Sequence, residues 1–335
     1  MATAEQLKAL IRSHNSGDDE HFRAVAMQIA AAMARHGKTR LAVELRDLLD
    51  KAQKKQSPVD SPRAVPISRP VGELAGLISA SYPNIHLSDM VLSDAIRAQL
   101  DTVVQQYHQR DVLRSHGLQP KRKLLLIGPP GCGKTMSASA IACETGLPLL
   151  FVQLHSLITK YMGETAAKLH LVFDAMIQTR AVYLFDEFDA IGAERGARND
   201  VGEIRRVLNS FLQFLERDDS QSIIIAATNF VGMLDKALFR RFDDIVRYDL
   251  PSSAMVRNLV ENRLAAFGLA EVNWRTITAA ARRLSQAEVA RACEDAARRA
   301  VLSGIPDIAT ENLKTSLDNR HHQPKRRVSK DRRAR

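Results

Sequence analysis

Along the first fifty residues apolar positions recur at helical spacing, separated by polar stretches. Leu7, Leu10 and Ile11 form one stripe, and Thr3 with Gln6 fits a capping box at its start. Phe22, Val25, Ala26, Ile29 and Met33 form a second stripe, which Gly37 ends, and Leu41, Leu45, Leu48 and Leu49 form a third. Each predicted helix has one apolar face, so residues 1–53 are expected to pack as a small helical bundle. Residues 54–70 hold Pro58, Pro62, Pro66 and Pro70 among polar residues, which predicts an extended linker.

From residue 71 the pattern changes. Ser93 stands where a cap would, ahead of a helix whose buried face is Ile96, Leu100, Val103, Val104 and Tyr107. Continuous apolar runs follow at KLLLI (123–127), LLFVQL (149–154), AVYLF (181–185), IIIAAT (223–228) and DIVRYDL (244–250), with helical stretches between the first four. Apolar strands alternating with helices predict an α/β fold with a five-stranded parallel sheet covered on both faces. After Pro251 amphipathic helices take over, so residues 71–250 read as a large subdomain and 251–319 as a helical lid.

Charge changes this picture only at the end of the chain. Residues 320–335 hold eight Lys and Arg against one acid, Asp331, and so carry +7 of the net +10. That segment predicts a basic disordered tail and leaves the folded body mildly basic. No apolar run approaches the roughly 20 residues that span a bilayer. The polar start, MATAEQLKAL, does not read as a secretory signal, and Cys132, Cys143 and Cys293 are too scattered for a disulfide framework or zinc site. A reducing cytoplasm is the expected location.

The candidate chemistry lies in the α/β region. Gly128, Pro129, Pro130, Gly131, Cys132, Gly133, Lys134 and Thr135 match G-x-x-x-x-G-K-[ST] directly after a predicted strand and at the start of a helix. The glycines let backbone N–H groups wrap phosphates, the helix start adds its positive dipole end, and Met136 continues the segment. Lys134 is expected to reach the β- and γ-phosphates of ATP, and Thr135 to offer its hydroxyl to Mg²⁺. Asp186 and Glu187 end a strand at the sheet edge where open α/β sheets bind ligands. Asp186 is expected to hold Mg²⁺ and Glu187 to orient or deprotonate the attacking water.

The P-loop, DEFDAI (186–191), AATN (226–229) and LDKALFRRFD (234–243) occur in the order and spacing of AAA ATPases, and residues 85–318 resemble that family. The resemblance implies a P-loop AAA core with a helical lid, ATP hydrolysis, and a ring of identical subunits with the family's count of six. It implies that Asn229 reads the γ-phosphate and that Arg240 and Arg241 are arginine fingers entering a neighbour's site. The adjacent arginines are similar to the spastin, katanin and fidgetin branch, and the compact layout to stand-alone bacterial members. Met90 and Val91 resemble the adenine-contacting strand. In LSQAEVARACEDAARRAV (284–301), Gln286 stands where the family usually has glycine.

Lys160, Tyr161 and Met162, followed by Gly163-Glu164-Thr165, resemble the pore loop of members that thread polypeptide. An aromatic tip grips any chain by non-specific packing; the alternative for Tyr161 is a half-buried loop aromatic. The expected activity is therefore a protein-remodelling ATPase whose N-terminal bundle recruits a protein substrate or adaptor. No HExxH or GxSxG motif is present, so any proteolysis would come from a separate partner. The alternative is a nucleic-acid-associated ATPase using the basic tail, although that tail has no aromatic residue to stack on bases.

Overall fold

The computed structural model describes residues 72–157, 162–188, 200–229, 239–269, 272–304 and 307–322, without the side chains of 162–163 and 200–206. The expected N-terminal bundle, the proline-rich linker and the residues after His322 lie outside the described residues.

Six strands form one sheet: β1 (Ile78–Ser81), β2 (Lys123–Ile127), β3 (Leu149–Val152), β4 (Val182–Phe185), β5 (Ile223–Thr228) and β6 (Asp244–Arg247). Their order is β1-β3-β4-β5-β2-β6. The five strands expected from the apolar runs are all present and parallel, in register from Leu125 opposite Ala226 and Ile245 to Leu150 opposite Tyr183. The strict five-stranded parallel sheet needs one correction: β1 adds an antiparallel edge beside β3, with Ile78 opposite Val152. Its sequence, ISAS, buries only its first residue. A short, half-exposed edge strand needs no apolar run, so it gives no hydrophobic signal.

Successive residues of the central strands feed opposite faces, as the two-residue period requires. Leu125 and Ile127 enter the core that packs α5 (Met162–Gln178) and α6 (Asp200–Arg217), while Leu124 and Leu126 enter the core under α1 (Asp94–His108) and α3 (Lys134–Thr145). The short helices α2 (Arg110–Ser115) and α4 (Leu154–Leu157) complete this unit. Ser93 caps α1 by accepting from the Ile96 amide at 3.4 Å, and Ile96, Leu100, Val103 and Tyr107 are buried as the spacing predicts. Leu125 is fully buried, so Leu125→Ala should cost about 2–5 kcal/mol.

The lid consists of α7 (Ser253–Arg263), α8 (Trp274–Ala280), α9 (Gln286–Ser303) and α10 (Thr310–His322). It has its own core, including Val256, Val260, Ile277, Val289, Cys293 and Leu313. Its last helix runs past the expected boundary at 319. Arg320 ion-pairs with Asp295, and the ring Nε2 of His321 donates to the Ala280 carbonyl at 2.7 Å. Arg320 therefore belongs to the folded lid and not to the basic tail. No described helix is long and apolar enough to cross a membrane.

Candidate nucleotide site

At the end of β2 the chain turns sharply into α3. Gly128 has φ +153°, and a Cβ there would sit 2.3 Å from the Tyr248 carbonyl oxygen. That contact leaves no room for a side chain. Tyr248 also donates its hydroxyl to Ser137 on α3 at 2.7 Å, while its amide donates to the Ile127 carbonyl. Burial pushes the Tyr248 hydroxyl up to about 12. One tyrosine thus fixes both ends of the turn. Gly133 takes the left-handed conformation at the N-cap of α3, at φ +94°.

Lys134 is 6% exposed, and its ammonium donates to the Gly128 carbonyl (2.8 Å), the Pro129 carbonyl (2.9 Å) and Asn229 Oδ1 (2.8 Å). A buried ammonium is costly unless hydrogen-bonded, and here loop and strand end supply the acceptors. The Thr135 hydroxyl donates to Asp186 Oδ2 at 2.6 Å, and the other Asp186 oxygen accepts from the Glu187 amide at 2.8 Å. A hydroxyl beside a carboxylate is the hard-oxygen donor set that Mg²⁺ prefers, so these residues fit that ion. Glu187 has φ +52°, a conformation that costs a non-glycine residue about 1 kcal/mol or more. The neighbouring structure holds it there: Phe188 is buried and its amide donates to the Ala227 carbonyl at 2.8 Å. The result turns Glu187 toward the same cavity as Lys134.

That cavity measures about 700 Å³. Of the expected ligand-binding residues, Met90, Val91, Pro130, Gly131, Gly133, Lys134, Thr135, Met136, Asp186, Glu187 and Asn229 all line it. Gly128 and Pro129 contribute through the carbonyls that hold Lys134. The Cys132 side chain turns elsewhere. It is fully buried in the core beneath α1 and α3, and burial pushes its thiol up despite nearby Lys134. Only its backbone faces the loop's task.

Sequence reasoning missed several contributors. Leu259, Asn262 and Arg263 of α7 line the cavity from the lid side. Arg97 donates to the Leu87 carbonyl (2.9 Å) and the Met90 carbonyl (2.7 Å), pinning the segment that carries Met90 and Val91. None of these belongs to a short motif, and the Tyr248–Ser137 pair is 111 positions apart.

Arg240 and Arg241 lie elsewhere. Asp243, two residues on, accepts from the amides of Arg122 and Lys123 at 2.9 Å, which places this stretch at the N-terminal edge of β2. The P-loop leaves the opposite edge, a strand length of roughly 15 Å away. Arg240 is exposed, and Arg241 pairs with Glu216 at 3.2 Å. Lys160 and Tyr161 lie outside the described residues; Met162 opens α5, its side chain likewise undescribed.

A mostly parallel sheet with a P-loop at its C-terminal edge, a carboxylate pair two strands over and a C-terminal helical region defines a P-loop nucleoside triphosphatase. Residues 124–250 match the family described as ATPase family associated with various cellular activities (AAA). The chain is 35% identical over 321 residues to an uncharacterized AAA family ATPase of Sinorhizobium fredii, spanning 95% of this chain and 96% of that one. It is 30% identical to the proteasome-activating nucleotidase of Saccharolobus solfataricus over 70% of this chain and 62% of the relative. It is 29% identical to the katanin p60 ATPase-containing subunit A1 of Strongylocentrotus purpuratus over 72% of this chain and 49% of the relative. The chain belongs to the AAA family and is an ATP-binding, ATP-hydrolysing enzyme.

Proposed function

We propose that this ATPase is a ring-forming motor that remodels, unfolds or disassembles a protein substrate drawn through its pore. The observation that carries the ring is the placement of Arg240 and Arg241 on the sheet edge opposite the chain's own P-loop. Cations that cannot reach their own nucleotide suit the nucleotide of a neighbouring copy, in a closed head-to-tail assembly. Six copies follow from the family resemblance.

Within one site, Lys134 neutralises the β- and γ-phosphates, and Asn229, bonded to Lys134, reads the γ-phosphate. Mg²⁺, held by Thr135 and Asp186, would draw charge from the phosphate oxygens. Glu187 aims and activates the water that attacks the γ-phosphorus in line with the departing ADP. Arg240 and Arg241 of the adjacent copy stabilise the charge spread over the transferring phosphoryl group.

The protein substrate is supported by Tyr161 in its Lys-Tyr-Met-Gly context, by the N-terminal bundle expected from the sequence, and by likeness to katanin and to a proteasome-activating nucleotidase. A separate protease partner is compatible with the second likeness. The enzyme would work in a reducing cytoplasm, consistent with its three free cysteines. Nucleic acid is the weaker substrate: with Arg320 folded into the lid, seven cations remain beyond it.

The test is steady-state ATP turnover during titration with an unstructured polypeptide and, separately, single-stranded DNA, for the full chain and Tyr161→Ala. Polypeptide stimulation that vanishes in Tyr161→Ala is the expected result. Stimulation by DNA that survives Tyr161→Ala and is lost on removing residues 323–335 would replace this reading with the nucleic-acid one.

A further inference from the structure

Gln286 opens lid helix α9 and lines the nucleotide cavity. Its Nε2 donates to the Val91 carbonyl at 3.0 Å, joining residues 195 positions apart. The Val91 side chain packs against the lid core, and Val91 and Gln286 both line the nucleotide cavity. The first turn of α9 meets the P-loop as well. The Ala287 amide donates to the Gly131 carbonyl at 3.0 Å. Ser285 and Glu288 close a capping box on each other, so the first amides of this helix are satisfied within the protein. The Gly131 backbone leaves no space either: a Cβ there would lie 2.8 Å from Ser285 Oγ. Lid, P-loop and the Met90–Val91 segment therefore meet around one side-chain amide.

A carbonyl oxygen has two lone pairs. Gln286 engages one lone pair of Val91, and Arg97 holds the carbonyls of Leu87 and Met90 just before it. The segment is thus held at three carbonyls, Val91 is a wall residue of the cavity, and its carbonyl has capacity for a second donor. An adenine base carries an amino donor on its six-membered ring where guanine carries an oxo acceptor. A preorganised acceptor favours the first and repels the second, because acceptor facing acceptor leaves both groups without a partner.

We propose that Gln286 is a specificity-determining residue: it positions the Val91 carbonyl to select a nucleotide whose base presents an amino group over one that presents an oxo group. This rests on the reading that the cavity takes the nucleotide with its base against Met90 and Val91. Gln286 acts through Val91 and is a positioning residue, so the test must separate selectivity from lid docking in general.

The experiment is to measure kcat and KM for ATP and for GTP with the full chain, as wild type, Gln286→Ala and Gln286→Glu. Gln286→Glu keeps the shape but turns a donor into an acceptor facing the carbonyl. In both variants the KM for ATP should rise by about 10-fold with kcat within roughly 3-fold, while the KM for GTP moves by less than about 2-fold. The ATP-over-GTP preference then falls about 10-fold. An equal rise for both nucleotides would overturn the proposal by showing a merely structural lid contact, and an unchanged preference would overturn it too. Lys134→Ala serves as the control. If it still binds ATP with wild-type affinity, the nucleotide-site reading and this proposal fall together. If it does not bind and the Gln286 variants keep their preference, this proposal alone falls.

Discussion

The two edges of the same sheet carry very different amounts of finished chemistry. At the C-terminal edge Lys134, Thr135, Asp186, Glu187 and Asn229 meet in one cavity, and their mutual hydrogen bonds come from this chain alone. At the N-terminal edge Arg240 and Arg241 concentrate positive charge, with Glu216 paired to Arg241, away from the chain's own P-loop. In the proposed mechanism the first edge holds the nucleotide. In the proposed ring, the second acts when another copy presents its cavity. Binding through Lys134 and the proposed action of Arg240 and Arg241 are therefore separable by mutation, because those residues lie on opposite edges.

The largest effect should follow from Lys134→Ala. Removing the buried ammonium strips charge-assisted hydrogen bonds from the phosphates and leaves the Asn229 side chain without that donor, so ATP affinity should fall roughly 100-fold or more, about 3 kcal/mol. Equilibrium titration with a fluorescent nucleotide measures this directly. If affinity were retained, the C-terminal edge would not be the binding edge.

Replacing both Arg240 and Arg241 with Ala should leave nucleotide affinity within a few-fold and lower turnover by roughly 10³. A parallel loss of affinity would erase the contrast between the edges. Glu187→Gln should bind ATP normally and lower kcat by roughly 10² or more, read by single-turnover hydrolysis. Brisk turnover by that variant would sink the assignment of Glu187.

A smaller effect sharpens how the binding edge is built. Tyr248→Phe removes the 2.7 Å bond to Ser137 and should cost about 1–2 kcal/mol in chemical denaturation. It should also change the alkaline limb of stability. Tyr248 holds its proton more tightly folded, up to about 12 against 10.0 unfolded. Its contribution is complete below pH 10 and is lost as pH rises from 10 toward about 12, by up to about 2–3 kcal/mol. The variant should show a shallower fall across that window. An unchanged slope would mean that the Tyr248 hydroxyl does not contribute.

Much of this architecture was legible because the signals were local. Continuous apolar runs marked every parallel strand, and the P-loop spacing marked Lys134 and Thr135, since a phosphate cradle is made by consecutive backbone groups. Strand β1 escaped because an edge strand tolerates polar residues. Motif spacing fixes the backbone path at Cys132 and says nothing of which way its side chain turns. Arg97, Tyr248 and the Gln286–Val91 bond escaped for a different reason: each joins segments that only the fold brings together. The lid boundary shifted past 319 because the partners of Arg320 and His321 sit far back in the chain, on Asp295 and Ala280.

The most direct test of a site shared between copies is to mix two inactive variants, Glu187→Gln and Arg240→Ala/Arg241→Ala, and follow ATP turnover against the mixing ratio. A subunit with intact Glu187 beside a subunit with intact arginines rebuilds one complete site. The account predicts activity in the mixture that neither variant has alone, with a maximum at intermediate ratios. Mixed rings confirmed by co-purification that stay as inactive as either variant would contradict it.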